Sequence, residues 1–373
     1  MAPPSWVLLN APDDHFRQLT RPISWWLQQL ATTFRGQDRI FFAIIERVLE
    51  LHRQDIVQPA DDAVFKAINH PVGHVVQAAL SWWYRQGLTD DQLLNAEILE
   101  IYTAVCDADV EIYRHGRVLL GAHSITIFRV APDWTKNNLL QFFDWDRSAE
   151  EARAVWQGFL WSARLHAPFL RELKSEFLAV TQHYDELGDV AEQYAALLTF
   201  AALDDGDVFL RQELAAATRS LPAEGRRRAA FTLLDAFMSV GDQRAEYWNN
   251  RIVPYLRRIW PRERGADGAP EAFARLCVAA GGGDLFREAV EELQPLLASV
   301  EHPGVIVHEL RDAGLCARVP NSALNLLDLV IDNDLLWPPP ELANCLAAIL
   351  NARPELEEDE RFRRLGVIVR RQN

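Results

Sequence analysis

From Thr20 to Arg370 apolar residues return every three or four positions almost without a break, and this persistence at helical spacing limits the chain to a helical architecture. Trp134–Trp161 shows the unit most clearly, with four of the twelve tryptophans. Trp134, Leu139, Leu140, Phe142 and Phe143 form one apolar surface. Asp144-Trp145-Asp146-Arg147-Ser148 breaks it, and Ala152, Val155, Trp156, Phe159 and Leu160 form the next. Ser148 with Glu151 three residues on has the form of a capping box. The spacing therefore predicts two helices joined by a turn.

The same punctuation recurs along the chain. Pro22, Pro71, Pro222, Pro270, Pro303, Pro320 and Pro338 lie at or near the starts of apolar runs, and several runs end at Gly, the asymmetry of real helix ends. Pro71 in a first turn makes His70 its cap. Thr89-Asp90 reads as the cap of a helix through Leu93, Leu94, Ile98 and Tyr102, and Asp207 as that of a helix through Phe209 and Leu214. Gly116–Val130 reads as one helix, within which Ser124–Val130 is the one run that could be a strand. Roughly eighteen helices result. Short connections pair them antiparallel.

Faint repetition links Ile23-Ser24-Trp25-Trp26-Leu27 to Leu80-Ser81-Trp82-Trp83-Tyr84, and Asn69-His70-Pro71-Val72-Gly73 to Glu301-His302-Pro303-Gly304-Val305. The expected fold is all-α, an irregular α-solenoid of HEAT-like hairpins with ~40 residues per pair. Residues 1–19 read as an irregular lead-in, 20–260 as one helical-repeat region and 271–373 as a second, the alternative being one continuous solenoid. The joint at 261–270 is polar, rich in Gly and Pro and without periodicity. Trp25, Trp83, Trp156 and Trp161 are expected in the core.

A formal charge of −15 opposes general nucleic-acid binding, which needs lysine and arginine against phosphate. Four dispersed cysteines, Cys106, Cys277, Cys316 and Cys345, with no CxxC, read as reduced, buried thiols of a cytoplasmic protein. No run is apolar enough to span a membrane.

No catalytic motif stands in usable context, no nucleophile–base pair follows from spacing, and no cofactor is implied. His70 and His74 have zinc-ligand spacing, but Pro71 turns His70 away and no third ligand is evident, so a cap and a surface histidine explain them. Asp204, Asp205 and Asp207 read as a turn and a cap rather than a calcium loop. Arg226-Arg227-Arg228, and Arg257 and Arg258 with Arg262 and Arg264, are basic clusters, the second beside Tyr255 and Trp260. Arginines with aromatics could form a single-stranded nucleic-acid groove; interleaved acids favour a solvated face or a patch for an acidic protein. Glu150 and Glu151 read as solvated charge. Trp145, between Asp144 and Asp146 and beside Arg147, is either tucked under its turn or an exposed anchor for a partner.

Several stretches carry a resemblance: Asn69-His70-Pro71-Val72-Gly73-His74, Gly116-Arg117-Val118-Leu119-Leu120, Phe143-Asp144-Trp145, Gly158-Phe159-Leu160-Trp161, Gln193–Ala201, Glu246-Tyr247-Trp248 and Glu301-His302-Pro303. Together they resemble the helical C-terminal domain of bacterial sirtuin-like antiphage defence proteins. The resemblance implies a sensor or regulatory half whose partner is a phage protein or an N-terminal effector domain. It brings no catalytic residue, because the sirtuin-like motif is absent from this sequence. The leading expectation is thus a non-catalytic protein-binding module. The alternatives are an NAD-consuming or hydrolytic enzyme with a site assembled from distant residues, and a nucleic-acid-binding HEAT-like protein.

Overall fold

The computed structural model describes residues 8–33, 38–58, 61–204, 206–261 and 269–371. Most of the 261–270 joint, with Arg262 and Arg264, lies outside them, as do Asp205 and residues 1–7. The described residues are helical throughout, with turns and loops between helices and no strand. Ser124–Val130 is a helix. The helices are more numerous and shorter than expected, because several periodic runs are interrupted. Gly116–Val130 divides at His123 (φ −107°, ψ 9°) into Arg114–Ala122 and Ser124–Val130. The first half of the Trp134–Trp161 hairpin is wound irregularly, with a wide π turn over Thr135–Leu139 and a tight 3-10 turn over Leu140–Phe143. Residues 88–95, expected to open a helix, instead form a loop in which Asp91 and Leu93 take positive φ and their N–H groups bond to Arg129 and Val130 carbonyls; the helix begins at Ala96, after Asn95. Asp207 is likewise displaced as a cap, since that helix starts at Arg211. The lead-in is not wholly irregular: Asp13–Gln18 is helical, its Phe16 buried beneath the Arg47 guanidinium 4.3 Å from the ring centre.

The chain divides into two compact units, Met1–Tyr194 and Ala195–Asn373. In the first, helix Thr20–Leu30 packs on Pro71–Tyr84, and Arg114–Ala122 packs on Ala149–Trp161. Short helix Ala63–Ile68 bridges both members of that second pair. In the second unit two successions run side by side. Ala223–Ser239, Pro270–Ala280, Gly304–Asp312 and Leu342–Ala352 pack each on the next; so do Gly283–Leu293, Pro320–Val330 and Glu360–Arg370. Arginine–carboxylate bridges stitch neighbours, among them Arg275–Glu309 at 2.8 Å and Arg364–Asp328 at 2.7 Å.

The close approach of Arg114–Ala122 to Ala149–Trp161 depends on glycine. A Cβ on Gly158 would fall inside the Val118 carbonyl oxygen, and one on Gly121 would lie 2.9 Å from the Val155 oxygen. Alanine at 158 gains up to ~1 kcal/mol of helix propensity. It must also push two backbones apart, an overpacking cost of roughly 1–3 kcal/mol. Gly158→Ala is therefore expected to lower the urea-unfolding free energy; unchanged or higher stability would refute the close crossing.

Two of the four tryptophans assigned to the core are there. Trp83 and Trp156 are buried, the latter donating from Nε1 to the Phe143 carbonyl at 3.0 Å. Trp25 and Trp161 are not buried: both lie more than half exposed, on apolar stripes that no other element covers completely. The repeated pentapeptides also differ in environment, since Trp25 is exposed where its counterpart Trp82 is buried. All four cysteines are free and buried.

Candidate partner-binding groove

Ser148 caps Ala149–Trp161, its Oγ accepting from the Glu151 N–H at 3.3 Å. The reciprocal half of the capping box is not made. The Ser148 N–H bonds to the Asp144 carbonyl, and the Glu151 carboxylate is drawn inward to two arginines. Arg117 is fully buried. Its Nε and Nη2 donate to the two Glu151 oxygens at 2.9 and 2.8 Å, and its Nη1 reaches the Val105, Asp107 and Val110 carbonyls. Burial pushes the Glu151 carboxyl up, but the bonds and charges of Arg117 and Arg114 outweigh it and hold the group below its ordinary 4.5. Glu151 is thus not solvated charge, whereas Glu150 is exposed.

The histidines lie apart in role. His70 caps its helix through Nδ1, which accepts from the Val72 N–H at 3.2 Å; its ring stacks on His115 at 4.4 Å and meets His52 edge-on at 5.4 Å. His74 is buried, not on the surface, and its Nδ1 lies 3.0 Å from Ser24 Oγ. The two therefore share no ligand position, and no group of three or more His, Cys, Asp or Glu among the described residues is placed for a metal. Ser24–His74 has the separation of a nucleophile and base, but Ser24 is wholly buried. A cavity of about 150 Å³ opens beside His115, lined also by Lys66, Glu111, Arg114, Glu150 and Arg153. Arg114 is committed there to Glu151 at 2.7 Å and Glu150 at 3.3 Å.

Of the partner candidates named from sequence, Asp144, Trp145, Asp146 and Arg147 lie in the first unit and Arg257 and Arg258 in the second. Trp145 is 7% exposed and stacks on His183, ring centres 4.0 Å apart and planes within 3°. It is tucked under its turn instead of presented. Asp144 accepts from the Asp146 N–H at 2.9 Å, closing that turn, and Asp146 and Arg147 face solvent. Arg257 is held bidentately by Glu292 at 2.9 and 2.6 Å. Arg258 lines a cavity of about 190 Å³ with Arg211, Arg251 and Asp204. Tyr255 and Trp260 are buried, so they offer no stacking platform beside these arginines.

The structure instead exposes aromatics elsewhere. A groove of about 330 Å³ lies between helix Ala63–Ile68, the end of Ala149–Trp161 and residues 187–193. Phe65 and Trp161 stand on it 60% and 56% exposed. Buried Gln157 ties its walls: Oε1 accepts from the Ala63 N–H at 2.9 Å, and Nε2 donates to the Asp61 and Leu187 carbonyls at 2.8 and 3.1 Å. Gly188 turns the third wall at φ 61°, ψ −135°, a conformation that favours glycine. Spacing could not reveal a groove whose walls lie about ninety residues apart. In the second unit Leu336 and Trp337 also project from a loop, Trp337 84% exposed. The signal for it was present: a tryptophan between Asp332-Asn333-Asp334 and three prolines, the same polar-turn setting that drew attention to Trp145.

No known family profile matches the chain. No solved structure resembles it significantly. It is similar to the uncharacterized protein y4cA of Sinorhizobium fredii (strain NBRC 101917 / NGR234), 30% identical over 132 residues, which are 34% of this chain and 11% of that relative. The chain thus spans a small part of the protein it matches.

Proposed function

We propose that this chain is a helical protein-binding module and that a partner segment docks in the Phe65–Trp161 groove. The observation that carries this is a preformed apolar groove with two large aromatic side chains exposed on it. Such rings lose hydration favourably only when a partner covers them. The paired successions of helices in the second unit support a HEAT-like, solenoidal reading of that part. The four buried thiols support a reducing compartment such as the cytoplasm. A place in antiphage defence, with a phage protein or an N-terminal effector as partner, rests on the sequence resemblance alone.

The test is affinity capture from infected and uninfected bacterial lysates with wild type and the Phe65→Ala/Trp161→Ala variant. A partner held by wild type should be lost by the variant, because buried aromatic anchors commonly contribute about 2 kcal/mol or more, some thirtyfold in affinity. Both rings are exposed in the free protein, so the variant's thermal midpoint should stay near that of wild type. Equal capture by both proteins would remove the groove from the account.

A further inference from the structure

The charge around the groove says more about its occupant than its shape does. We propose that the occupant is a basic peptide segment, with a bulky apolar side chain seated between Phe65 and Trp161 and lysine or arginine on either side. This rests on reading the groove as a docking site. Three of its lining residues are the aspartates Asp61, Asp62 and Asp189, and none is a lysine or arginine. Several carboxylates elsewhere are matched by arginine from an adjoining helix, as in Arg257–Glu292, Arg275–Glu309 and Arg364–Asp328. Here they are not. Asp62 has one oxygen on the Phe65 N–H at 2.8 Å, and the Asp61 and Asp189 side chains have no ion pair among the described residues. All three are exposed.

A cation arriving among such carboxylates gains Coulomb energy and relieves their mutual repulsion. Its alkyl stem can lie along the aromatic rings, whose faces also attract it. The same charges disfavour the other occupants. A second copy of this chain would set the acidic rim against itself, and anionic lipid headgroups would be repelled. The volume, near the lower end of ligand pockets, suits one or two side chains better than a whole helix.

The test pans an mRNA-displayed library of random short peptides on the full chain, with a counter-pan on Phe65→Ala/Trp161→Ala. Enriched peptides should pair a leucine or aromatic residue with lysine or arginine. Trp161→Ala should weaken them about tenfold or more. Asp61→Asn and Asp189→Asn should each weaken them roughly two- to fivefold, and added salt should do the same. Peptides that need Trp161 but carry neutral or acidic flanks, and ignore the asparagine variants, would overturn the charge inference and leave the docking site standing. A library in which nothing distinguishes wild type from the double variant would overturn both.

Discussion

Arg117→Ala is expected to destabilise the first unit by about 3–5 kcal/mol, enough to leave much of it unfolded, since removing one partner of a buried pair strands the other. The substitution removes five hydrogen bonds at once. The buried Val105 carbonyl loses its arginine donor, and the Asp107 and Val110 carbonyls are left with the Val110 and Tyr113 N–H groups alone. The Glu151 carboxylate keeps Arg114 but loses its bidentate partner. Arg117→Lys should recover little. An ammonium cannot span a carboxylate and three carbonyls from one planar fork. Adding Glu151→Gln to Arg117→Met should restore part of the loss, because the stranded charge is then gone. Urea unfolding of the three variants measures this. A loss under about 1 kcal/mol for Arg117→Ala, the range of an exposed pair, would show that this network does not hold the helices.

Arg117 also marks what the sequence could and could not show. Its neighbours Val118, Leu119 and Leu120 announce a buried helix face, and Gly116 a close approach, but nothing local says that an arginine sits inside. Its partner is 34 residues away and reads, by spacing, as an ordinary surface acid. Features written in neighbouring residues were legible. The caps at His70 and Ser148 came through, as did the start at Pro71 and the burial of Trp83 and Trp156. Features that depend on whether another element covers an apolar stripe were not. Trp25 and Trp161 fall on periodic faces just as Trp156 does, and only packing separates them. Trp145 shows the converse: a polar turn concealed it by laying it on His183, whose position depends on a kink 38 residues further on.

Acid should unfold the first unit through its histidines before its carboxylates titrate. Burial, with the neighbouring His115 and His52 charges, pulls His70 from 6.5 to about 3. Burial, with Arg114 and Lys66 nearby, pulls His115 from 6.5 to about 4. Both groups have folded pKa values below their unfolded ones, so between those limits the unfolded chain binds more protons. Stability is then complete above about pH 6.5 and is lost as pH falls toward 4, at about 1.4 kcal/mol per pH unit for each proton taken up. The stacked rings, 4.4 Å apart, resist the second proton more than the first, so the pair titrates as one unit. The loss across the window is on the order of several kcal/mol, comparable to the stability of a domain. Glu151, held below 4.5, adds its own acid sensitivity at the lower end of that window and beneath it. Urea unfolding in steps from pH 7.5 to 4.5 should show a plateau and then a decline. His115→Asn, which removes one titrating ring and keeps a polar side chain of similar reach, should flatten the decline by about one proton. Unfolding free energies that stay level to pH 4.5 would mean that the two rings open to solvent and take up protons without cost to the fold.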